Sequence, residues 1–359
     1  MSNHPSKQDI LLAKQALDSL IKKARVHLYK PIQIAEILHR DRTIGDIDAL
    51  NKETYRNKSK TWRDVVCNQF LGRTSSSSQK YQDDLFNDNA IPPVILNTLI
   101  SVNRAYSGAV EAYIYERFAT RFTQMNAGLD YCRTHTTENF VLVDFINLFW
   151  QEAGLRRSID KIYEMVVYAL FSSLVQAMDV YVEIGFNPER GDILKQFSEF
   201  SKKVLGLTVD TPKIRHLAHV HRVGVTNAAD RGLDMWSSFG VAIQIKHLSL
   251  TEELAEGIVQ TVSSDRIVVV CKDAEQKLIV SLLNQLGWRA KIQSIITESE
   301  LVAWYEEALR GEYASQTANA VLKALTEEIQ IEFPATNLQE WNLFINERGY
   351  TELETENIW

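Results

Sequence analysis

The sequence predicts a mixed α/β protein, an α/β core preceded by a large helical N-terminal region. Three observations predict it. Residues 94–124 carry apolar side chains at three- and four-residue steps, and residues 139–153 and 159–178 are apolar enough to be buried helices. After Pro188 the texture changes to short β-type runs at 216–225, 233–236, 240–248 and 266–271. These give way to a predicted helix at 274–286, a strand at 290–296 and a helix at 298–310. Strands alternating with helices indicate an α/β core.

Taken in order, residues 6–24 read as a helix with Ile10, Leu11, Leu17, Leu20 and Ile21 on its apolar face. Pro31 begins a short helix through Leu38, because proline is tolerated in a first turn. Residues 41–64 are polar and basic and end in KSKTWRD. The serine-rich stretch RTSSSSQK at 73–80 is a loop, and a second loop ends at Pro92–Pro93. One more helix is expected at 192–206, and the last 45 residues read as helical and acidic, broken by Pro334. No repeat of 20–50 residues is apparent. The expected division is a helical, basic region at 1–155, the α/β core at 156–315 and an acidic helical extension at 316–359.

With 45% hydrophobic and 24% charged residues, the 359-residue chain has the composition of a soluble globular protein. No apolar run reaches the roughly 18 residues of a membrane span. The N-terminus, MSNHPSKQDILLAKQ, lacks the apolar centre of a signal peptide. Cys67, Cys132 and Cys271 have no paired spacing, so structural zinc is not expected, and a sparse odd set fits a reducing cytoplasm. The net charge of −7 is unevenly spread. Residues 1–80 hold 15 Lys and Arg against 8 Asp and Glu, while residues 298–359 hold 3 against 13. A basic front and an acidic tail are compatible with one face meeting phosphates, and equally with two solvated surfaces.

The chemistry concentrates in LDMWSSFGVAIQIKHL, residues 233–248. Ser237–Gly240 can reverse the chain, so the strand after it returns beside the strand of Asp234. Alternation then points Gln244 and Lys246 to one face and Ile243 and Ile245 into packing. A carboxylate, an amide and an ammonium converge. Phosphodiester hydrolysis needs that set: oxygen donors for Mg²⁺, which polarises phosphate and helps generate hydroxide, and a lysine to orient water and offset developing charge. The Ile245 backbone carbonyl is a further candidate metal ligand. The same spacing also suits a strand-edge lysine and an ordinary turn carboxylate.

The pattern resembles the PD-(D/E)XK nuclease superfamily, with Asp234 as the aspartate and Gln244-Ile245-Lys246 as the acid-x-lysine triplet. Glutamine replaces the second acid, and Leu233 stands where that pattern has proline. RVHLYKPIQIAEIL (25–38) and DRGLDMWSSFGVAIQIKHLSL (230–250) resemble the HaeII family of type II restriction endonucleases. That resemblance implies a homodimer cutting a short GC-rich palindrome in double-stranded DNA with Mg²⁺, beside a cognate DNA methyltransferase. It places catalysis on Asp234, Gln244 and Lys246. A repair or recombination nuclease, or a DNA-binding protein with a decayed site, are the competing readings.

Lesser candidates remain. Asp230 and Glu164 could join the metal site, and Glu183 is weighed with them; each also fits a plain surface carboxylate. His219 and His221 share a strand face, suiting nucleic-acid contact or ordinary packing, and His247 points away from Lys246. Arg25, Lys30, Lys58, Lys60, Arg63, Arg73, Arg222, Asn227 and Arg231 are the candidate DNA contacts, with Arg40 and Arg42 beside them in the basic front, and residues 1–155 as a whole are the region expected to serve DNA contact or dimerisation.

Overall fold

A computed structural model describes residues 5–24, 27–72, 74, 83–151, 159–223, 233–262, 264–274, 277–278, 281, 291–332 and 338–359. Helix α1 (Lys7–Lys23) opens on a capping box, in which Ser6 Oγ accepts the Asp9 N–H at 3.2 Å and the Asp9 carboxylate accepts the Ser6 N–H at 3.0 Å. Helix α2 (Tyr29–Thr43) carries Pro31 in its first turn and continues beyond Leu38. Helix α3 (Lys58–Leu71) occupies the stretch expected only to be polar; Val66, Cys67, Phe70 and Leu71 form its buried stripe. The run expected at 94–124 is two helices, α4 (Pro93–Ala105) and α5 (Ala109–Thr134). They part where Ser107 and Gly108 take φ of 52° and 104°, a backbone incompatible with helix continuation. Helices α6 (Leu142–Gln151) and α7 (Ile159–Ala177) follow the predicted pattern.

Strands β1 (Tyr181–Gly185) and β2 (Lys213–Leu217) make a separate antiparallel ribbon. Between them the single helix expected at 192–206 is replaced by short helical turns spanning 188–205, interrupted at Phe197, where φ is −105° and ψ 36°. The main sheet has the order β3 (Val220–Arg222), β4 (Met235–Ser237), β5 (Ala242–Lys246), β6 (Ile267–Cys271), β7 (Ile292–Thr297). The first three strands are antiparallel neighbours, and β5, β6 and β7 are parallel. The IVVVC run of β6 is buried throughout, as a central parallel strand covered on both faces must be. Helix α8 (Glu252–Thr261), for which no expectation was set, lies between β5 and β6 in the chain. The helix expected at 274–286 falls mostly outside the described residues. Helices α9 (Glu298–Arg310), α10 (Ala314–Glu332) and α11 (Leu338–Glu347) complete the chain.

Apolar side chains gather into three clusters. One joins Ile243, Ile245, Val268 and Val270 of the sheet to α6, α7, α9 and α10. A second covers the opposite sheet face, where Ala242, Ile267, Val269 and Cys271 meet Ala255 and Ile258 of α8. The third holds α1 to α4 and the first half of α5 together with Trp341, Phe344, Tyr350 and Ile358 from the C-terminal end. Helix α10 therefore packs with the sheet, while α11 and the tail close the N-terminal helical core. Among the described residues no helix is long and apolar enough to cross a membrane.

Candidate active site

The turn between β4 and β5 is local chemistry. The Gly240 N–H donates to Ser237 O at 3.0 Å, and Gly240 holds a φ of +84°, a conformation that favours glycine. Ser237 Oγ accepts the Val241 N–H at 2.9 Å. Met235 lies opposite Ile243 and Trp236 opposite Ala242, so Asp234 comes level with Gln244. Gln244 Nε2 donates to Asp234 Oδ2, and the Ile245 N–H donates to the same oxygen at 2.7 Å. Ile243 and Ile245, each 3% exposed, face the core as expected. Asp234, Gln244 and Lys246 thus share the opposite face of the hairpin.

Glu164 enters this site from α7. It is 4% exposed rather than a surface glutamate. Lys161 Nζ donates to its two carboxylate oxygens at 2.8 and 2.6 Å, and Arg222 lies 3.9 Å away. Burial pushes its carboxyl up to about 7 in spite of both cations, and the charge of Asp234 pushes the same way. Burial raises Asp234 as well, against the Ile245 N–H and the ammonium groups of Lys246 and Lys161. Two desolvated carboxylates and two lysines therefore share one electrostatic environment. Lys161 is the member that sequence reasoning missed. Its signal was DKIYE, which places Lys161 and Glu164 three residues apart, one turn along the helix. His247 also does more than pack: its Nδ1 meets the Asp160 carboxylate, tying the end of β5 to the start of α7.

The donor set suits a hard divalent cation. Gln244 is 2% exposed, and its Oε1 is buried with no hydrogen-bond partner among the described residues. Such an orphan costs about 1–3 kcal/mol unless a ligand takes it up. An amide oxygen on the side chain that bonds the half-buried Asp234 carboxylate, with the buried Glu164 carboxylate in the same electrostatic environment, is the oxygen-donor setting that Mg²⁺ prefers. Among the described residues no group of three or more His, Cys, Asp or Glu forms a metal cluster, so the amide would have to complete the set.

The remaining candidates separate. Asp230, Asn227, Arg231, Arg25 and Arg73 lie outside the described residues. Lys30 on α2 and Lys58 on α3 are exposed and Lys60 half-buried, all in the helical region away from the hairpin. Two of the candidate DNA contacts are engaged within the protein. Arg63 is 2% exposed, bound to Asp64 at 2.6 Å and to Gln33 at 3.3 Å. Arg222 has a side chain only 7% exposed and pairs with Glu328 at 2.8 Å and Glu332 at 3.4 Å. Neither guanidinium can reach a phosphate without abandoning buried partners. Arg40 and Arg42 are likewise engaged, by Asp46 at 2.6 Å and Glu111 at 2.9 Å. Arg40, Arg42 and Arg63 of the basic front are therefore neutralised internally. Glu183 sits on the outlying ribbon, paired with Lys213 at 3.0 Å, and takes no part in the site. His219 and His221 are exposed, and the His221 ring stacks on Trp236 with centroids 4.2 Å apart. Trp236, 44% exposed, shares the strand face of Asp234 two residues away.

The comparisons with known proteins cover nearly the whole chain. The family model for HaeII restriction endonuclease matches residues 13–350. The type II restriction enzyme HaeII of Haemophilus aegyptius is 59% identical over 342 residues, covering 95% of this chain and 97% of that protein. The type II restriction enzyme NgoBI of Neisseria gonorrhoeae is 56% identical over 342 residues, covering 94% and 96%. No solved structure matches the chain. On a family match that spans both helical region and sheet, the chain belongs to the HaeII restriction endonuclease family.

Proposed function

We propose that this chain is a type II restriction endonuclease that hydrolyses phosphodiester bonds at a specific site in double-stranded DNA, using Mg²⁺. The observation that carries the reading is the convergence of Asp234, Glu164, Lys246 and the unpartnered Gln244 Oε1 at one hairpin. The strand–turn–strand carrying Asp234, Gln244 and Lys246, continued by parallel β6 and β7, supports a PD-(D/E)XK-type core. The resemblance of the family alone supports a short GC-rich palindrome, a homodimer, a cognate methyltransferase and a cytoplasmic setting. The helical N-terminal region, with exposed Lys30 and Lys58, is the proposed DNA-contacting part.

The side chains have distinct work. Asp234, Glu164 and Gln244 Oε1 would hold the metal, with the Ile245 carbonyl as a further candidate. Mg²⁺, when bound, supplies Lewis acidity toward the phosphate and toward water. The Lys246 ammonium, on the face of Asp234, offsets the charge that grows on the phosphate oxygens and orients the attacking water. The Ile245 N–H fixes the Asp234 carboxylate in place before any ligand arrives. Lys161 neutralises Glu164 in the metal-free site.

Plasmid DNA incubated with the protein and Mg²⁺ is expected to give discrete fragments. Asp234→Ala and Lys246→Ala should each reduce cutting by about a thousandfold while leaving specific binding in EDTA intact. A smear would indicate a nuclease without site choice. Normal cutting by both variants would remove the hairpin from catalysis.

A further inference from the structure

Residues 178–217 contribute to none of the three apolar clusters. β1 and β2 pair with each other, and the turns between them pack locally. Each strand leaves four of its five residues exposed; Val182 and Ile214, on one face, are half-buried where the turn at Gly206 meets Ile214, while the other face, Tyr181, Glu183, Gly185, Lys213, Arg215 and Leu217, is bare. A lone two-stranded ribbon is marginal in water. The segment is nonetheless rich in apolar side chains. Ten of the 24 exposed large apolar residues among the described ones fall within it, Tyr181, Phe197, Phe200, Val204 and Leu217 being 49% to 64% exposed. Both outer edges of the ribbon are open among the described strands.

We propose that this arm is the surface through which two copies of the chain associate. The proposal rests on the endonuclease reading, in which a palindromic target is read by two subunits related by a two-fold axis. Charge selects a second copy over DNA. Residues 178–217 hold six Lys and Arg and six Asp and Glu, a balance that attracts no polyanion. Opposite charges within the arm already pair, Lys213 with Glu183 at 3.0 Å and Lys203 with Glu199 at 2.9 Å, so like surfaces can meet without net repulsion. The segment has 40 residues, enough to supply the roughly 20–30 per partner of a standard interface. Its place also suits cooperation between sites. Glu164 precedes Met178 by 14 positions, nearly all within α7, so the arm and the acid lie about 20 Å apart along one helix, at about 1.5 Å per residue.

Sedimentation velocity on the full chain without DNA tests this. The wild type should be dimeric at micromolar concentration. Phe197→Ser/Phe200→Ser/Leu217→Ser should weaken the dimer by about a hundredfold or more. Its circular dichroism spectrum should match that of the wild type, because these side chains are exposed in the monomer, while its melting temperature loses only the part that depends on wild-type protein concentration. Hydrogen exchange gives a second readout that needs no variant: amides of 181–185 and 213–217 should lose protection when the wild type is diluted. A triple variant that stays dimeric, with arm exchange independent of dilution, overturns the arm as the interface. A wild type monomeric at tens of micromolar overturns the association itself. A monomeric variant with the wild-type spectrum and a cooperative melt supports the arm whether or not the wild type cuts plasmid DNA, so failure of the nuclease reading is seen separately.

Discussion

Glu164→Gln should make the metal-free protein more stable at alkaline pH while abolishing its cutting. Glu164 is 4% exposed, and burial raises its carboxyl from an ordinary 4.5 to about 7, even with Lys161 and Arg222 beside it. At about 1.4 kcal/mol per pH unit, the folded protein gives up about 3 kcal/mol to hold this group ionised. The sign follows from proton binding. Below 4.5 the carboxyl is protonated folded or unfolded, and the cost is absent. Between 4.5 and about 7 the folded state retains a proton that the unfolded chain releases, so stability falls as pH rises. Above that range the whole cost is present. Glutamine keeps the shape and never ionises, and Lys161, about a quarter exposed, can turn to water. Urea unfolding in EDTA at pH 5 and pH 8 should therefore show the wild type losing up to about 3 kcal/mol more than the variant across that interval. The same variant should cut plasmid DNA at least about a hundredfold more slowly with Mg²⁺. Parallel pH profiles for the two proteins would refute the buried, desolvated carboxylate, and full activity would refute its place in the metal site.

Two further outcomes test neighbouring parts. Arg222→Ala leaves Glu328 and Glu332 as buried charges without their guanidinium, so unfolding should become easier by about 3–5 kcal/mol at neutral pH, read by urea denaturation. DNA affinity of the folded fraction should be unchanged, since this arginine faces acids rather than solvent. Gln244→Glu restores a second acid beside Asp234. It should lower the Mg²⁺ concentration giving half-maximal cutting and, in EDTA, lower the melting temperature through like-charge repulsion in a buried place.

The strand–turn–strand of the site was legible because its determinants lie within a few residues of one another. Two-residue alternation set the faces of Gln244 and Ile245, and Gly240 with Ser237 set the reversal. The β6 run and α9 were equally legible, one from uninterrupted apolar β-type residues and the other from its periodic pattern, which the Thr297–Glu300 capping box anchors. Where the pattern was weak, the reading fell short. α3 carries a thin apolar stripe inside polar residues and earned no helix. The stretch 192–206 has helical spacing, but within 191–205 only Leu194 and Ser201 are buried, so nothing holds one long helix together. β1 went unseen because its pattern lacks the buried face that strand recognition depends on.

The sequence by itself determined the candidate hairpin, its polar face and the glutamine at position 244, since backbone period and turn chemistry are local properties. Only the tertiary structure decided which charges are available to do chemistry. Glu164 and Lys161 reach Asp234 from a helix some 70 residues upstream. Arg222 is claimed by Glu332, 110 residues away. Burial and ion pairing are set by what the whole chain packs together, and they give Arg222 the acids Glu328 and Glu332 as partners and bury Glu164 beside Lys161 and Arg222.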